Sequence, residues 1–268
     1  MVVELPDMIE IAAGPCVMGT PDKERSGLAK RYGGTRESYA EESPQHTVDV
    51  KAFRLAVVPV TNALYACFVG AAAGRPPVTW PLGQLPHDLA QHPVVDVRWT
   101  EAQSLCGWLR RQTGTRFRLP TEAEWEKAAR GADGRTFPWG NTFDPACANT
   151  RESGHNGTTP VGSFPAGASP YGVLDMAGTV WEWTQSRQAP YPYADDERNT
   201  PDVEARPARR GWLARLREPP AAPVPDLRRI LRGGCYANPS GFARCACRFR
   251  LQPANSTPFL GLRLAADG

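Results

Sequence analysis

Thiols are the most reactive groups in this sequence, and three of its seven cysteines lie close together near residue 240. Cys235 precedes Cys245 and Cys247, and no two cysteines in the chain show the Cys-x-x-Cys spacing of a zinc or dithiol site. Because seven is an odd number, at least one thiol stays unpaired. We therefore predict a reduced protein whose fold does not depend on disulfides.

A second group of residues offers oxygen ligands. The segment DMAGTVWEW carries the carboxylates of Asp175 and Glu182, with the carbonyl groups of Gly178 and Val180 between them. Calcium takes such oxygens at about 2.3 to 2.6 Å, so this segment predicts a structural calcium site. The alternative is that Glu182, which lies between two tryptophans, pairs with an arginine such as Arg232 or Arg263.

Other titratable residues give weaker signals. Glu122, Glu124 and Glu126 alternate along a predicted helix, so their side chains point to different faces, and a helix cap already explains Glu124. The histidines are dispersed without a recurring spacing, at His46, His87, His92 and His155. These residues predict neither acid–base catalysis nor a histidine metal site.

The composition limits the fold class. The 268 residues include 25 glycines and 27 prolines, which favours turns and loops over a helical bundle. A net charge of +3 is too small to predict nucleic-acid binding. The acidic residues near the amino terminus argue against a signal peptide, and we expect a cytoplasmic protein without a membrane segment. The basic residues are mostly arginine, which suggests a thermophilic source.

Several elements are predicted by pattern. Short strands are expected in 9–19 and 46–60, where apolar and polar residues alternate. Helices are expected to begin at Thr61 and at two capping boxes, Thr100 with Gln103 and Thr121 with Glu124, and Gly114 and Gly131 should end the last two. Residues 137–186 look like ordered loop. Arginine and proline dominate 203–232, which we interpret as a charged insertion, and the chain closes with strands.

Long motifs in this chain resemble the formylglycine-generating enzyme, or sulfatase-modifying factor, superfamily. They are PVTNALYACFV, RLPTEAEWEKAARG, FPWGN, TPVGSFPAGASPYGVLDMAGTVWEW and LRGG followed by LGLRL. The resemblance implies a single α+β domain over 1–268 with the C-type-lectin-like fold of this superfamily: small antiparallel sheets, few helices and much irregular loop. It also implies that the DMAGTVWEW positions bind a structural calcium.

The activity of the family does not transfer with the fold. The resemblance implies that a formylglycine-generating enzyme needs two copper-binding thiols five positions apart after the RGG strand. Aligned on Gly233 and Gly234, those positions are Asn238 and either Phe242 or Ala243. We therefore predict a protein that is not an enzyme and that uses neither copper nor iron. The alternative is an oxygen- and copper-dependent oxidoreductase with displaced cysteines.

Residues 233–265 resemble the variable region of a diversity-generating retroelement target protein. Such systems randomise adenines, so asparagine codons come to encode many residue types, but never Lys, Glu, Gln, Met or Trp. None of the predicted variable positions carries an excluded type. They are Cys235, Tyr236, Ala237, Ser240, Gly241, Phe242, Cys247, Phe249, Leu251, Ala254, Thr257 and Phe259.

Two interpretations of this region remain open. By alternation, Cys247, Phe249 and Leu251 share one strand face, which could belong to the core. The resemblance instead implies that this face meets a ligand. We therefore predict a non-enzymatic protein that binds an unidentified ligand, which we expect to be a protein and not a nucleic acid or a membrane. Tyr236, Phe242, Phe249 and Phe259 would be its aromatic anchors.

Overall fold

A computed structural model describes residues 4–71, 73–192 and 228–268. Within these residues, four helices and ten strands alternate with long stretches of loop and short 3-10 helices. The helices are α1 (Arg25–Tyr32), α2 (Asn62–Gly70), α3 (Trp99–Thr113) and α4 (Glu122–Arg130). The strands are β1 (Met8–Ile11), β2 (Gly14–Met18), β3 (His46–Val50), β4 (Phe53–Ala56), β5 (Phe117–Arg118), β6 (Trp181–Arg187), β7 (Arg229–Arg232), β8 (Arg248–Leu251), β9 (Leu260–Leu262) and β10 (Ala265–Asp267).

In the described part of the chain the strands form two four-stranded sheets and a separate two-stranded sheet. The first sheet has the order β1-β4-β10-β5, the second has the order β8-β7-β6-β9, and β2 pairs with β3 alone. The pairs are antiparallel except for β6 with β9, which run parallel. This mixed architecture with few helices confirms the predicted α+β class.

Two of the predicted helix starts are confirmed. Thr61 caps α2 by accepting a hydrogen bond from the Leu64 backbone N–H at 3.2 Å. At α4, the Thr121 hydroxyl accepts from the Glu124 N–H, while the Glu124 carboxylate accepts from the Thr121 N–H. Gly114 and Gly131 end α3 and α4 as expected.

The third helix start was wrong by two residues. Helix α3 begins at Trp99, where the Glu101 carboxylate accepts a hydrogen bond from the Arg98 N–H at 2.9 Å. Glu101 therefore fills the position that we assigned to Gln103, because an ionised acceptor satisfies a free helix N–H better than a neutral amide. Helix α1 was not predicted, and none of its residues is buried.

The boundary of the predicted charged insertion also needs correction. Arg229–Arg232, which we placed in the insertion, is strand β7 at the centre of the second sheet, and all four residues are buried. Arg229 stacks its guanidinium on the Trp99 ring at 4.0 Å, and Arg232 bonds to carbonyl and carboxylate groups of the core. Residues 203–227 of that prediction lie outside the described residues.

Candidate functional site

The predicted variable region follows β7 and contributes both edge strands of the second sheet, β8 and β9. The chain turns at Gly233 and Gly234, passes through a 3-10 turn at Ser240–Ala243 and continues into β8. Gly234 has a φ of +74°, and a Cβ there would come within 2.8 Å of the Phe242 carbonyl oxygen. The turn therefore requires glycine, and it brings the residues around Phe242 back over the sheet.

Four of the twelve predicted variable positions are exposed and five are half-buried. Three of the twelve are buried, which leaves nine that are exposed or half-buried. Phe249 and Phe242 are the most exposed aromatic residues in the described chain, at 43% and 39% of their surface. The exposed or half-buried positions are Tyr236, Ala237, Ser240, Phe242, Phe249, Leu251, Ala254, Thr257 and Phe259.

The other three positions do not present side chains to solvent. Cys247 is 8% exposed, so the prediction that its side chain faces a ligand is wrong. The residue precedes β8, and its backbone N–H donates to the Arg244 carbonyl. Cys235 is 2% exposed, with its sulfur 3.2 Å from the Asn238 side-chain oxygen. Gly241 is buried, and a Cβ there would lie 2.7 Å from the Cβ of Tyr32.

The exposed aromatic residues form two neighbouring contacts. The rings of Phe242 and Phe249 both pack on Trp181 of β6, with ring centroids 6.3 and 5.6 Å away. Tyr236 packs on Phe259, with centroids 5.4 Å apart. We call these four exposed or half-buried residues the aromatic surface: Tyr236, Phe242, Phe249 and Phe259. Sequence reasoning missed Trp181 as its support, although the residue stands in the quoted WEW motif.

A groove of about 350 Å³ borders the aromatic surface. Phe242, Cys247 and Phe249 line one side, and residues 32–42 form the other. Sequence reasoning did not find this second wall, because residues 22–42 show neither apolar periodicity nor a motif. What holds the wall in place is charge, since the Glu42 carboxylate accepts two hydrogen bonds from Arg244, at 2.9 and 3.1 Å.

Beneath this groove lies a network of buried ion pairs that begins on α4. Glu122 accepts two hydrogen bonds from Arg248, at 2.7 and 2.9 Å, and Glu126 accepts one from Arg232 at 2.6 Å. Neither carboxylate is exposed to solvent. Both carboxylates are bonded to guanidinium groups, Arg232 of β7 and Arg248 of β8, and these pairs hold the two strands against α4.

The cysteines near the groove are buried thiols. All seven thiols lie in described parts of the chain and are free. Burial raises the pKa of Cys245 and Cys247 to about 12, and burial also raises the pKa of Cys235. Since the thiolate is the form that binds metals and attacks substrates, these groups are held in their unreactive form. Asn238, at the first position expected of an enzymatic thiol, is half-buried beside Cys235.

The predicted calcium ligands are used in other ways. Glu182 is 1% exposed, and its carboxylate accepts hydrogen bonds from Arg263 at 2.8 and 3.0 Å and from the Trp125 indole at 2.7 Å. Asp175 accepts from the Gly162 N–H at 2.6 Å. A cation bound by Asp175, Glu182 and the Gly178 and Val180 carbonyls would compete with the Arg263 guanidinium for the same oxygens. This pair is the ion-pair alternative that the sequence left open, and calcium binding at this segment stays a prediction.

Comparison with known proteins now identifies the class. Treponema denticola variable protein 1 superposes with a TM-score of 0.72 at 22% identity, covering 97% of this chain and 95% of that one. PvdO from Pseudomonas aeruginosa superposes with a TM-score of 0.69 at 23% identity, covering 98% and 95%. The fold is thus the C-type-lectin-like fold of the formylglycine-generating-enzyme type, as predicted.

The family follows from the sequence. The Sulfatase-modifying factor enzyme 1-like domain matches residues 1–268, and the chain belongs to this family. A formylglycine-generating enzyme from Mycobacterium tuberculosis is 32% identical over 307 residues, covering 90% of this chain and 96% of that protein. Hercynine oxygenase from Mycolicibacterium smegmatis is 30% identical over 266 residues, and the match covers 86% of this chain but 56% of that protein.

None of the helices in 4–71, 73–192 and 228–268 combines the length and the apolar character needed to cross a bilayer.

Proposed function

We propose that this protein is a non-enzymatic binding protein whose ligand-facing surface is diversified by adenine-directed mutagenesis from a retroelement. The observation that carries the proposal is the exposure of Phe242 and Phe249, side by side over Trp181, within the segment that resembles a variable region. Exposed aromatic side chains on a rigid support are the usual anchors of binding surfaces.

The fixed residues between the variable positions support the same proposal. Arg232, Arg244, Arg248 and Arg263 are buried and paired with carboxylates, so they hold the backbone of 229–263 without help from the exposed side chains. Replacing an exposed side chain then changes the surface at little cost to folding. The fold shared with Treponema denticola variable protein 1 is compatible with this use.

Burial narrows the set of diversified positions that we propose. Cys247 and Cys235 lie in the core, and a side chain at residue 241 would collide with Tyr32. Polar or larger residues at these three places would destabilise the scaffold. The proposed binding positions are therefore the nine that are exposed or half-buried: Tyr236, Ala237, Ser240, Phe242, Phe249, Leu251, Ala254, Thr257 and Phe259.

The genomic locus tests the proposal directly. We expect a near-identical repeat of the codons for 235–259, differing at adenines in the codons of the nine positions, beside a reverse transcriptase gene. A locus without such a repeat contradicts the diversification, whatever the protein binds.

Binding is tested separately from diversification. We expect a protein ligand isolated by display to lose binding when all four residues of the aromatic surface are replaced by alanine, with circular dichroism unchanged. The matched control is Val78→Ala and Leu82→Ala, which removes two exposed apolar side chains from a loop that does not line the groove. Equal loss of binding in the control would contradict the assignment of the surface.

The second candidate function is formylglycine generation by oxygen- and copper-dependent oxidation. The named relative from Mycobacterium tuberculosis, which this chain matches over nearly its whole length, favours it. Incubation with copper, oxygen and a cysteine-containing sulfatase peptide distinguishes the two functions. We expect no peptide aldehyde above the level of a blank, because Asn238 and Phe242 or Ala243 occupy the positions expected of the two thiols. Aldehyde formation would overturn the first proposal.

A further inference from the structure

The groove beside the aromatic surface has one wall that variation in 235–259 would not alter. Tyr32, Glu37 and Glu41 belong to this wall, and Phe242 and Phe249 lie on the opposite side. An ion pair and a hydrogen bond join the two sides: Arg244 pairs with Glu42, and the Arg248 guanidinium donates to the Glu41 backbone carbonyl at 2.8 Å. Neither Arg244 nor Arg248, nor their partners Glu42 and Glu41, is among the nine proposed binding positions. The groove is therefore preformed and keeps its first wall whatever the variable residues are.

The positive charges that line the groove are already matched. Arg244 pairs with Glu42, Arg248 pairs with Glu122, and Arg250 pairs with Glu41. A ligand carboxylate entering the groove would have to displace one of these protein carboxylates.

One acidic residue in the lining forms no ion pair among the described residues. Glu37 is exposed, and Arg25 and Arg36 are the positive charges near it. Hydrogen bonds from its own backbone N–H and from the Thr35 hydroxyl lower the pKa of Glu37, and the nearby charges of Arg25 and Arg36 lower it further. The carboxylate is thus ionised at neutral pH and open to a ligand.

We infer that this groove binds a basic side chain, arginine or lysine, of a protein partner. The apolar stem of such a side chain would pack on the exposed rings of Phe242 and Phe249, as long basic side chains do on apolar surfaces. Its charged end would meet the Glu37 carboxylate. The inference rests on the proposed binding function and adds a ligand preference that diversification does not erase.

Two small probes separate charge from shape. Nα-acetyl-arginine amide carries the cation, and Nα-acetyl-citrulline amide has nearly the same shape without it. Titration of the ¹⁵N-labelled full-length protein, followed by NMR, should show weak binding of the arginine probe with shifts in the amides of 241–250. We expect the arginine probe to bind about three- to fivefold more tightly than the citrulline probe, as one exposed ion pair allows.

Three variants locate that preference. In Glu37→Gln the two probes should bind equally, whereas Glu10→Gln, an exposed acid on β1 outside the groove, should leave the preference unchanged. In Phe249→Ala both probes should weaken together, because the ring supports the stem that they share.

The outcomes also separate this inference from the proposed function. Equal binding of the two probes to the unaltered protein, or amide shifts away from 241–250, overturns the basic-side-chain inference and leaves the genomic test of diversification untouched. A locus without the repeat overturns diversification, while a preference abolished by Glu37→Gln would still assign the groove to a basic side chain.

Discussion

Two sets of residues alternate within the same stretch of chain, 229–263, and they have opposite surroundings. Arginines at 232, 244, 248 and 263 are buried and paired with carboxylates from other parts of the fold. The aromatic residues between them, at 236, 242, 249 and 259, are exposed or half-buried. The comparison shows that the conformation of this segment is held by its charged residues, which is the reverse of the usual assignment of charge to the surface.

This contrast also separates stability from recognition. A buried guanidinium bonded to a distant carboxylate fixes the backbone at one point but tolerates little change, because an unpaired buried charge is costly. An exposed aromatic ring contributes little to folding but offers a large, rigid contact area to a partner. A scaffold built in this way keeps its shape while its surface residues change.

The largest predicted effect comes from breaking one buried pair. Glu182→Gln removes the negative charge that faces Arg263 and leaves the guanidinium buried without a counter-charge, so we expect a loss of about 3–5 kcal/mol in the free energy of unfolding. Urea denaturation at neutral pH measures it. The matched control is Glu37→Gln, an exposed carboxylate, which should change stability by less than about 0.5 kcal/mol.

A variant that fails to fold would still be informative. The double variant Glu182→Gln with Arg263→Met removes the unpaired cation, and the glutamine oxygen can still accept from the Trp125 indole. We expect it to recover soluble yield and part of the lost stability. A loss below about 1 kcal/mol in the single variant would contradict the structural role of the pair.

The next effect concerns the buried thiols and alkaline pH. Burial raises the pKa of Cys245 and Cys247 from an ordinary value near 9 to about 12. Between these values the unfolded chain has released the thiol protons and the folded chain has kept them, so stability falls as the pH rises. Each thiol contributes a slope of up to about 1.4 kcal/mol per pH unit. Urea denaturation at a series of pH values from 8 to 10, in a reducing buffer, measures this slope.

The thiol origin of that slope is checked with Cys245→Ala. Because alanine cannot titrate, the variant should show a shallower decline above pH 9 than the parent protein. Cys67→Ala, at a half-buried position, serves as the comparison. An unchanged slope in Cys245→Ala would indicate that the thiol is more accessible than its burial suggests.

A smaller effect is expected on the exposed side of the comparison. Phe249→Ala and Phe242→Ala should each lower the free energy of unfolding by less than about 1 kcal/mol, since these side chains are 43% and 39% exposed in the folded protein. Phe137→Ala removes a ring of the same type that is fully buried, and should cost about 3–5 kcal/mol. Equal losses at Phe249 and Phe137 would place the aromatic surface in the core.

Helix starts and ends could be predicted from the sequence where they depend on contacts between residues close together in the chain. Thr121 and Glu124 satisfy each other's backbone N–H groups, and glycine ends α3 and α4, so these elements could be located from spacing alone. The motif resemblance supplied the fold class. Exposure of Phe249 also followed from the resemblance, although alternation by itself left a core position equally possible.

Long-range charge pairing could not be predicted in the same way. Glu42 and Arg244 are 202 residues apart, and Glu122 and Arg248 are 126 apart, so no local pattern marks them as partners. For the same reason the sequence analysis placed Arg229–Arg232 in a charged insertion. A four-residue segment with two arginines is typical of the solvent-exposed surface unless buried partners for the arginines are known. The groove wall at 32–42 was missed for this reason as well.

The smallest predicted effect is that of calcium. A ligand that binds only the folded state stabilises it by about 2.7 kcal/mol when present at a hundred times its dissociation constant, which raises the melting temperature by several degrees. Here the Glu182 carboxylate is already bonded to Arg263 and Trp125, and the Asp175 carboxylate accepts a hydrogen bond from the Gly162 N–H. We therefore expect millimolar calcium, compared with a chelator, to shift the melting temperature by less than about 1 °C. A larger rise in the melting temperature that disappears in Asp175→Asn would support the calcium site. Calcium, and not the Glu182–Arg263 pair, would then be the interaction that fixes this segment.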